Sequence, residues 1–180
     1  MTYEEFNHLA GGIESIATVL ALAAAGYWAF RRFVKQREDF PYIEFIADIV
    51  PIGTQGDWRI VELISYIENK SKVQHRMGDF CFDLFALNAG DEVKISDDFG
   101  KQVHFPNKVV RGSWLPEGTD FFFVEPGVRA KYSFIPRVPG QATFVILYSR
   151  FNYPDGETSH SAERTIQFPT QTSDSEKIRA

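Results

Sequence analysis

"DFFFVEPGVRAKYSFI", residues 120–135, is the stretch whose reading decides the fold. In "EPG" the proline suits the first central position of a turn, and the glycine supplies a positive φ. After the turn, Val128, Ala130, Tyr132 and Phe134 alternate with Arg129, Lys131 and Ser133. That is the period of a strand with one buried and one wet face. The stretch predicts two strands, 120–124 and 128–135, flanking a turn. Side chains alternate in "FFF", so Phe122 must point opposite to Phe121 and Phe123. Either the strand is covered on both faces, or Phe122 belongs to an exposed patch that meets a partner, extended by Trp58 and Trp114. Core packing is the plainer of the two.

The same period recurs on both sides. "YIEFIADIV" (42–50) lies between Pro41 and Pro51, and "WRIVELISYIE" (58–68) is apolar on both faces, as a central strand would be. "DFCFDLFAL" (79–87) sets Phe80, Phe82, Leu84 and Ala86 against Cys81, Asp83, Phe85 and Leu87. Shorter strands are expected at 92–96 and 102–105. "QATFVILYSRF" (141–151) follows a Pro-Gly, and "YPDG" (153–156) marks a hairpin turn into "SHSAERTIQF" (159–168). The chain therefore reads as mainly β, with 41–168 forming an antiparallel β-sandwich of immunoglobulin-like type and about seven to nine strands. A barrel is the runner-up. Crossover helices are missing, which argues against a parallel α/β fold. The 17 Phe and 7 Tyr agree with strands rather than a helical bundle.

The amino-terminal part has a different character. Ile16 to Phe30 carries no charge, but 15 residues of helix reach only about 22 Å. Starting at Leu9 gives about 33 Å, enough for a hydrocarbon core of roughly 30 Å, with Glu14 near the outer end. Residues 9–30 are therefore expected to form a transmembrane helix after an extracytoplasmic tip, 1–8. A signal peptide would want a basic start, which "MTYEEFNHLAGGIES" lacks, and a soluble core helix is the other alternative. Tyr27 and Trp28 sit where an interfacial aromatic belt would. Arg31, Arg32, Lys35 and Arg37 follow in a basic linker, 31–40, and no Lys or Arg precedes the helix. The positive-inside rule puts the amino terminus outside and the sandwich in the cytoplasm. Ala17, Ala21, Ala25 and Ala29 form a row of small side chains along which another helix could pack, or are simply alanine richness. The polar end 169–180 reads as a disordered tail.

Chemistry is sparse. A formal net charge of −5 argues against a general nucleic-acid binder. The single cysteine, Cys81, permits no internal disulfide, and among phenylalanines it is expected to be buried and inert. His8, His75, His104 and His160 are scattered without metal-ligand spacing. His75 falls in a basic turn with Lys70, Lys72 and Arg76, a small candidate for lipid phosphate. Asp91, Asp97, Asp98 and Asp155 could supply calcium ligands at loops, but no calcium-loop pattern occurs. No nucleophile elbow or phosphate loop is present, and Ser65, Ser133 and Ser149 are strand residues. No metal site and no cofactor is expected.

"WAFRRFVKQREDFPYIEF" (28–45), "ENKSKVQHRMGDFCFDL" (68–84), "FVEPGVRAKYSF" (123–134) and "FNYPDGE" (151–157) resemble stretches of uncharacterised bacterial proteins with one span and a small β-sandwich. The resemblance implies that architecture and a bacterial origin, and no activity. The expectation is a non-enzymatic accessory or scaffold subunit of a bacterial inner-membrane complex. Its helix would pack on integral membrane proteins, and its cytoplasmic sandwich would dock on a partner. The alternatives are a stand-alone tethered domain binding lipid or a ligand, with or without calcium, and an extracytoplasmic adhesion-type sandwich if the topology is reversed.

Overall fold

A computed structural model describes residues 3–35, 41–96, 101–154 and 158–169, and within the first segment the side chains of 16–32. Helix α1 (Tyr3–Ala29) runs into a π-helical stretch (Phe30–Lys35). Nine strands follow among the described residues: β1 (Ile43–Gln55), β2 (Trp58–Asn69), β3 (His75–Asn88), β4 (Asn107–Ser113), β5 (Phe121–Val124), β6 (Arg129–Phe134), β7 (Arg137–Pro139), β8 (Ala142–Asn152) and β9 (Ser159–Gln167). They build two antiparallel sheets, β1-β2-β6 with β7 also on β2, and β4-β3-β8-β9 with β5 also on β3. The fold is mainly β, as the alternation predicts.

Among the described residues, no helix is long and apolar enough to cross a membrane. The uncharged run is short, and the remaining turns of α1 carry Glu4, Glu5, His8 and Glu14. The span expected over 9–30 is thus not a structural finding.

β1 and β2 form a tight hairpin in which Gln55 pairs with Trp58 across Gly56-Asp57. Gly56 has φ +55°, the sign that primed hairpin turns demand at their first central residue. Pro51 does not end β1, contrary to expectation. The strand continues to Gln55 with a register shift between Pro51 and Gly53, a bulge that accommodates the missing N–H. The segments 92–96 and 102–105 are not strands but are joined by one bridge, Ile95 to Val103.

The turn after β5 has the expected geometry. Gly127 has φ +72° and the Val128 N–H donates to Glu125 O at 3.1 Å. It does not fold β5 onto β6, however. β5 pairs with β3 in the second sheet and β6 with β2 in the first, so the turn carries the chain across the sandwich. Asn69, fully buried at the end of β2, holds this crossing. Its Nδ2 donates to Val124 O and Val73 O, both at 2.8 Å, and its Oδ1 accepts from Ser71 N and Oγ at 2.9 and 2.6 Å. Its backbone accepts from Gly127 N and donates to Val128 O.

Both sheets turn their apolar faces inward, with Val61, Leu63 and Ile67 of β2 meeting Phe80, Phe82, Leu84, Leu147 and Phe151 of β3 and β8. Two buried serines, Ser65 and Ser149, meet between the sheets at 3.4 Å, and Trp114 Nε1 donates to Ser149 Oγ at 2.8 Å. This satisfies polar groups that would otherwise cost stability in the core. Gly140 closes the far end: a Cβ there would lie 2.8 Å from Asp57 O, whose bond from Gly140 N it would displace.

Candidate interaction surfaces

No residue of α1 described here is buried. Ile16, Val19, Leu20, Leu22, Tyr27, Trp28 and Phe30 are 56–68% exposed. At 100° per residue, Ile16, Val19, Leu20 and Tyr27 fall within about 100° of arc. Ala17, Ala21, Ala25 and Ala29 occupy the other side, Ala29 half-buried and the rest exposed. The helix thus has a large-residue face and an alanine face, both apolar, with Trp28 falling on the alanine side near the helix end. Arg31 and Arg32 are exposed, with the Arg32 guanidinium 5.1 Å from the Trp28 ring. The Lys35 side chain and Arg37 lie outside the described residues.

The three aromatic positions proposed as a partner patch do not come together. Trp114 is buried in the core by its bond to Ser149. Phe122 is half-buried and faces inward, stacked on Phe80 at 5.1 Å. Trp58 alone is exposed, with Arg137 over its ring at 4.3 Å. The outward rings are instead Phe121 and Phe123, 41% and 52% exposed and set edge to face at 5.6 Å. Val124 is buried, and strand alternation takes Phe122 inward with it.

Phe121 and Phe123 lie near the end of the sandwich where β1 begins. Arg76 pairs with Phe123 in the ladder and lays its guanidinium 4.0 Å from the Phe121 centroid. The loop 70–74 brings Lys70 and Lys72 to the same end, and Lys70 N donates to Tyr42 O. Lys70 pairs with Glu44, and that bond lowers the Glu44 carboxyl and raises the Lys70 ammonium. His75 Nε2 contacts Ser71 Oγ at 2.9 Å, so its ring is part of the loop's own bonding.

Cys81 is not the buried thiol expected. Phe80 and Phe82 point inward, which turns Cys81 to the outer face of the second sheet, half-buried. Arg150 Nε donates to its Sγ at 3.2 Å, and this contact pushes the Arg150 guanidinium further up. The pair borders a shallow cavity of about 330 Å³ with Arg111, Asp79 and Asp120. On the same sheet face, Val93, Val103 and Phe105 stand over Leu87, Phe144 and Ile146 around an apolar groove of about 560 Å³.

Among the described residues, no three His, Cys, Asp or Glu side chains gather to hold a metal ion. Asp91 accepts from Asn88 N and Asn107 Nδ2, a structural role in its turn. Asp97, Asp98 and Asp155 lie outside the described residues. Ser133 is exposed on β6.

No family profile and no curated protein matches this sequence. Several solved structures are similar, and two of them illustrate the likeness. One is the Northeast Structural Genomics Consortium target SoR45, at 13% identity and TM-score 0.44, over 71% of this chain and 87% of that one. The other is a presumed ApaA protein from Bordetella pertussis, at 12% identity and TM-score 0.44, over 72% and 95%. Neither similarity assigns an activity to this chain.

Proposed function

We propose that this chain is a non-enzymatic accessory or scaffold subunit of a bacterial membrane protein complex. α1 is held among apolar partners in or at the inner membrane, and the immunoglobulin-like sandwich docks on the cytoplasmic side. The observation that carries this reading is the bare apolar surface of α1. Covering its six large side chains, with Phe30 just beyond them, would contribute about 10 kcal/mol or more, which water cannot offer. The alanine face allows close approach of another helix, where packing contacts replace those lipid would give. The basic cluster after the helix supplies the orientation.

Ala21→Leu together with Ala25→Leu should release the chain from its complex while leaving it in the membrane fraction. Mild-detergent purification followed by mass spectrometry checks this. Unchanged co-purification would reduce the helix to an anchor, and a chain recovered alone would sink the subunit reading. A second reading, a tethered ligand-binding domain, is favoured by the apolar groove beneath Val93 and Phe105. Saturable uptake of an apolar fluorophore, lost on Phe144→Glu, would support it.

A further inference from the structure

We propose that the end of the sandwich built from the 70–74 loop, β5 and the 125–128 turn docks flat on an anionic bilayer surface. The inference rests on the reading of α1 as the membrane-held element. Covalent geometry brings this end to the membrane. Ile43 lies eight residues after Lys35, a reach of at most about 27 Å, and the chain enters β1 at this end. The exposed groups there are of two kinds. Phe121, Phe123, Val128 and Tyr42 are apolar or amphipathic and 41–65% exposed. With them stand Lys72 and Arg76, which make no ion pair among the described residues, while Arg129 lies over Tyr66 on the outer face of the first sheet.

Three carboxylates share this end. Glu44 is held by Lys70, Glu68 stands opposite Arg129 in the ladder, and Glu125 accepts from the neutral Gln74 amide and keeps its charge. A chain of net charge −5 therefore sets two further cations, Lys72 and Arg76, against one carboxylate at the end that carries its exposed phenylalanines. That combination suits a lipid interface, where rings sit at headgroup depth and cations meet phosphate and serine carboxylate. The arrangement is preorganised. Asn69 fixes the loop and turn to one another, and Arg76 braces the Phe121 ring. Docking also sets the sandwich's tilt, leaving the outer face of the first sheet free for protein partners.

The test uses the full chain with Cys81→Ser and Val128→Cys, the new thiol carrying an environment-sensitive fluorophore. It is mixed with phosphatidylcholine vesicles containing a headgroup-level nitroxide lipid, with or without phosphatidylserine, and flotation is scored in parallel. The expected result is quenching with phosphatidylserine only. It should weaken about fivefold for each of Lys72→Gln and Arg76→Gln. Phe121→Ser with Phe123→Ser should also weaken it, and exposed rings make that change compatible with folding. A chain that floats without quenching overturns the docking, leaves the α1 reading standing and hands this end to a protein partner. Equal quenching in both lipids overturns the recognition of anionic charge. A chain that does not float overturns both.

Discussion

Phe80→Ala should lower the unfolding free energy by about 4 kcal/mol, within the range for burying and then deleting a phenylalanine ring. Phe80 is 1% exposed, and its ring centroid lies 5.0–6.3 Å from those of Phe45, Phe122, Tyr132, Phe151 and Trp114. Those five rings come from both sheets and from the segment after β4, so no single neighbour can collapse into the space left behind. The lost ring contacts and the cavity add to the lost transfer energy. Thermal or urea melts of the detergent-solubilised chain check this. Phe121→Ala is the control: its ring is exposed on the opposite side of the second sheet and should cost less than about 1 kcal/mol. Equal losses in the two variants would mean that Phe80 does not organise the core.

Asn69→Asp should be nearly as damaging, at about 3–5 kcal/mol, although it changes one atom. The carboxylate can still accept from Ser71. It cannot donate to Val73 O and Val124 O, and it places charge against two carbonyls at a position of 0% exposure. Asn69→Ala leaves the same carbonyls unpaired and should fall in the same range. Ser71→Ala, which removes only the loop's own bonds, should cost about 1 kcal/mol. Melts of the three variants, with tertiary signal followed at the β5–β6 turn, separate the two roles. A mild Asn69→Asp would mean that the crossing is held by backbone pairing alone.

Alternation made most of the sheets legible. β2, β3, β8 and β9 follow their apolar periods to within a few residues, because each buries one face against the other sheet. β4 was missed for a physical reason. "NKVVRGS" has little alternation, and Gly112 contributes no side chain but receives the Phe82 ring from across the ladder, at 2.6 Å from where a Cβ would stand. The expected strands at 92–96 and 102–105 were apolar enough, but Val93, Ile95 and Val103 remain exposed, Val93 and Val103 over a groove. "EPG" disclosed its own bend, since Pro and Gly act locally. It could not disclose its strands' partners, which depend on a buried asparagine more than fifty residues earlier. The surfaces were less legible than the fold. The aromatic residues were noticed, but which ring faces out depends on strand register, and of the cations at that end Arg76 comes from the paired strand β3 and Lys72 from the loop that precedes it.

The placement of β5 and β6 in different sheets also fixes the order in which this fold can assemble. The β1–β2 hairpin closes around two residues, and β8 and β9 are neighbours in sequence, so both pairs can form within microseconds. Neither sheet pair is secured by them. The union of β3 with β8 joins Cys81 to Arg150, 69 positions apart, and the Ser65–Ser149 meeting spans 84. Long loops must be closed before those contacts give anything back, which places this chain among slow folders, in the range of milliseconds to seconds. Refolding of the full chain followed by stopped flow should therefore show Leu84→Ala and Leu147→Ala slowing the main phase. A submillisecond main phase would mean that the strands find one another in some other order. Until β3 captures β8, the two strand edges that meet in the finished sheet stay unpaired, and that interval is when the chain is most open to pairing with another copy of itself.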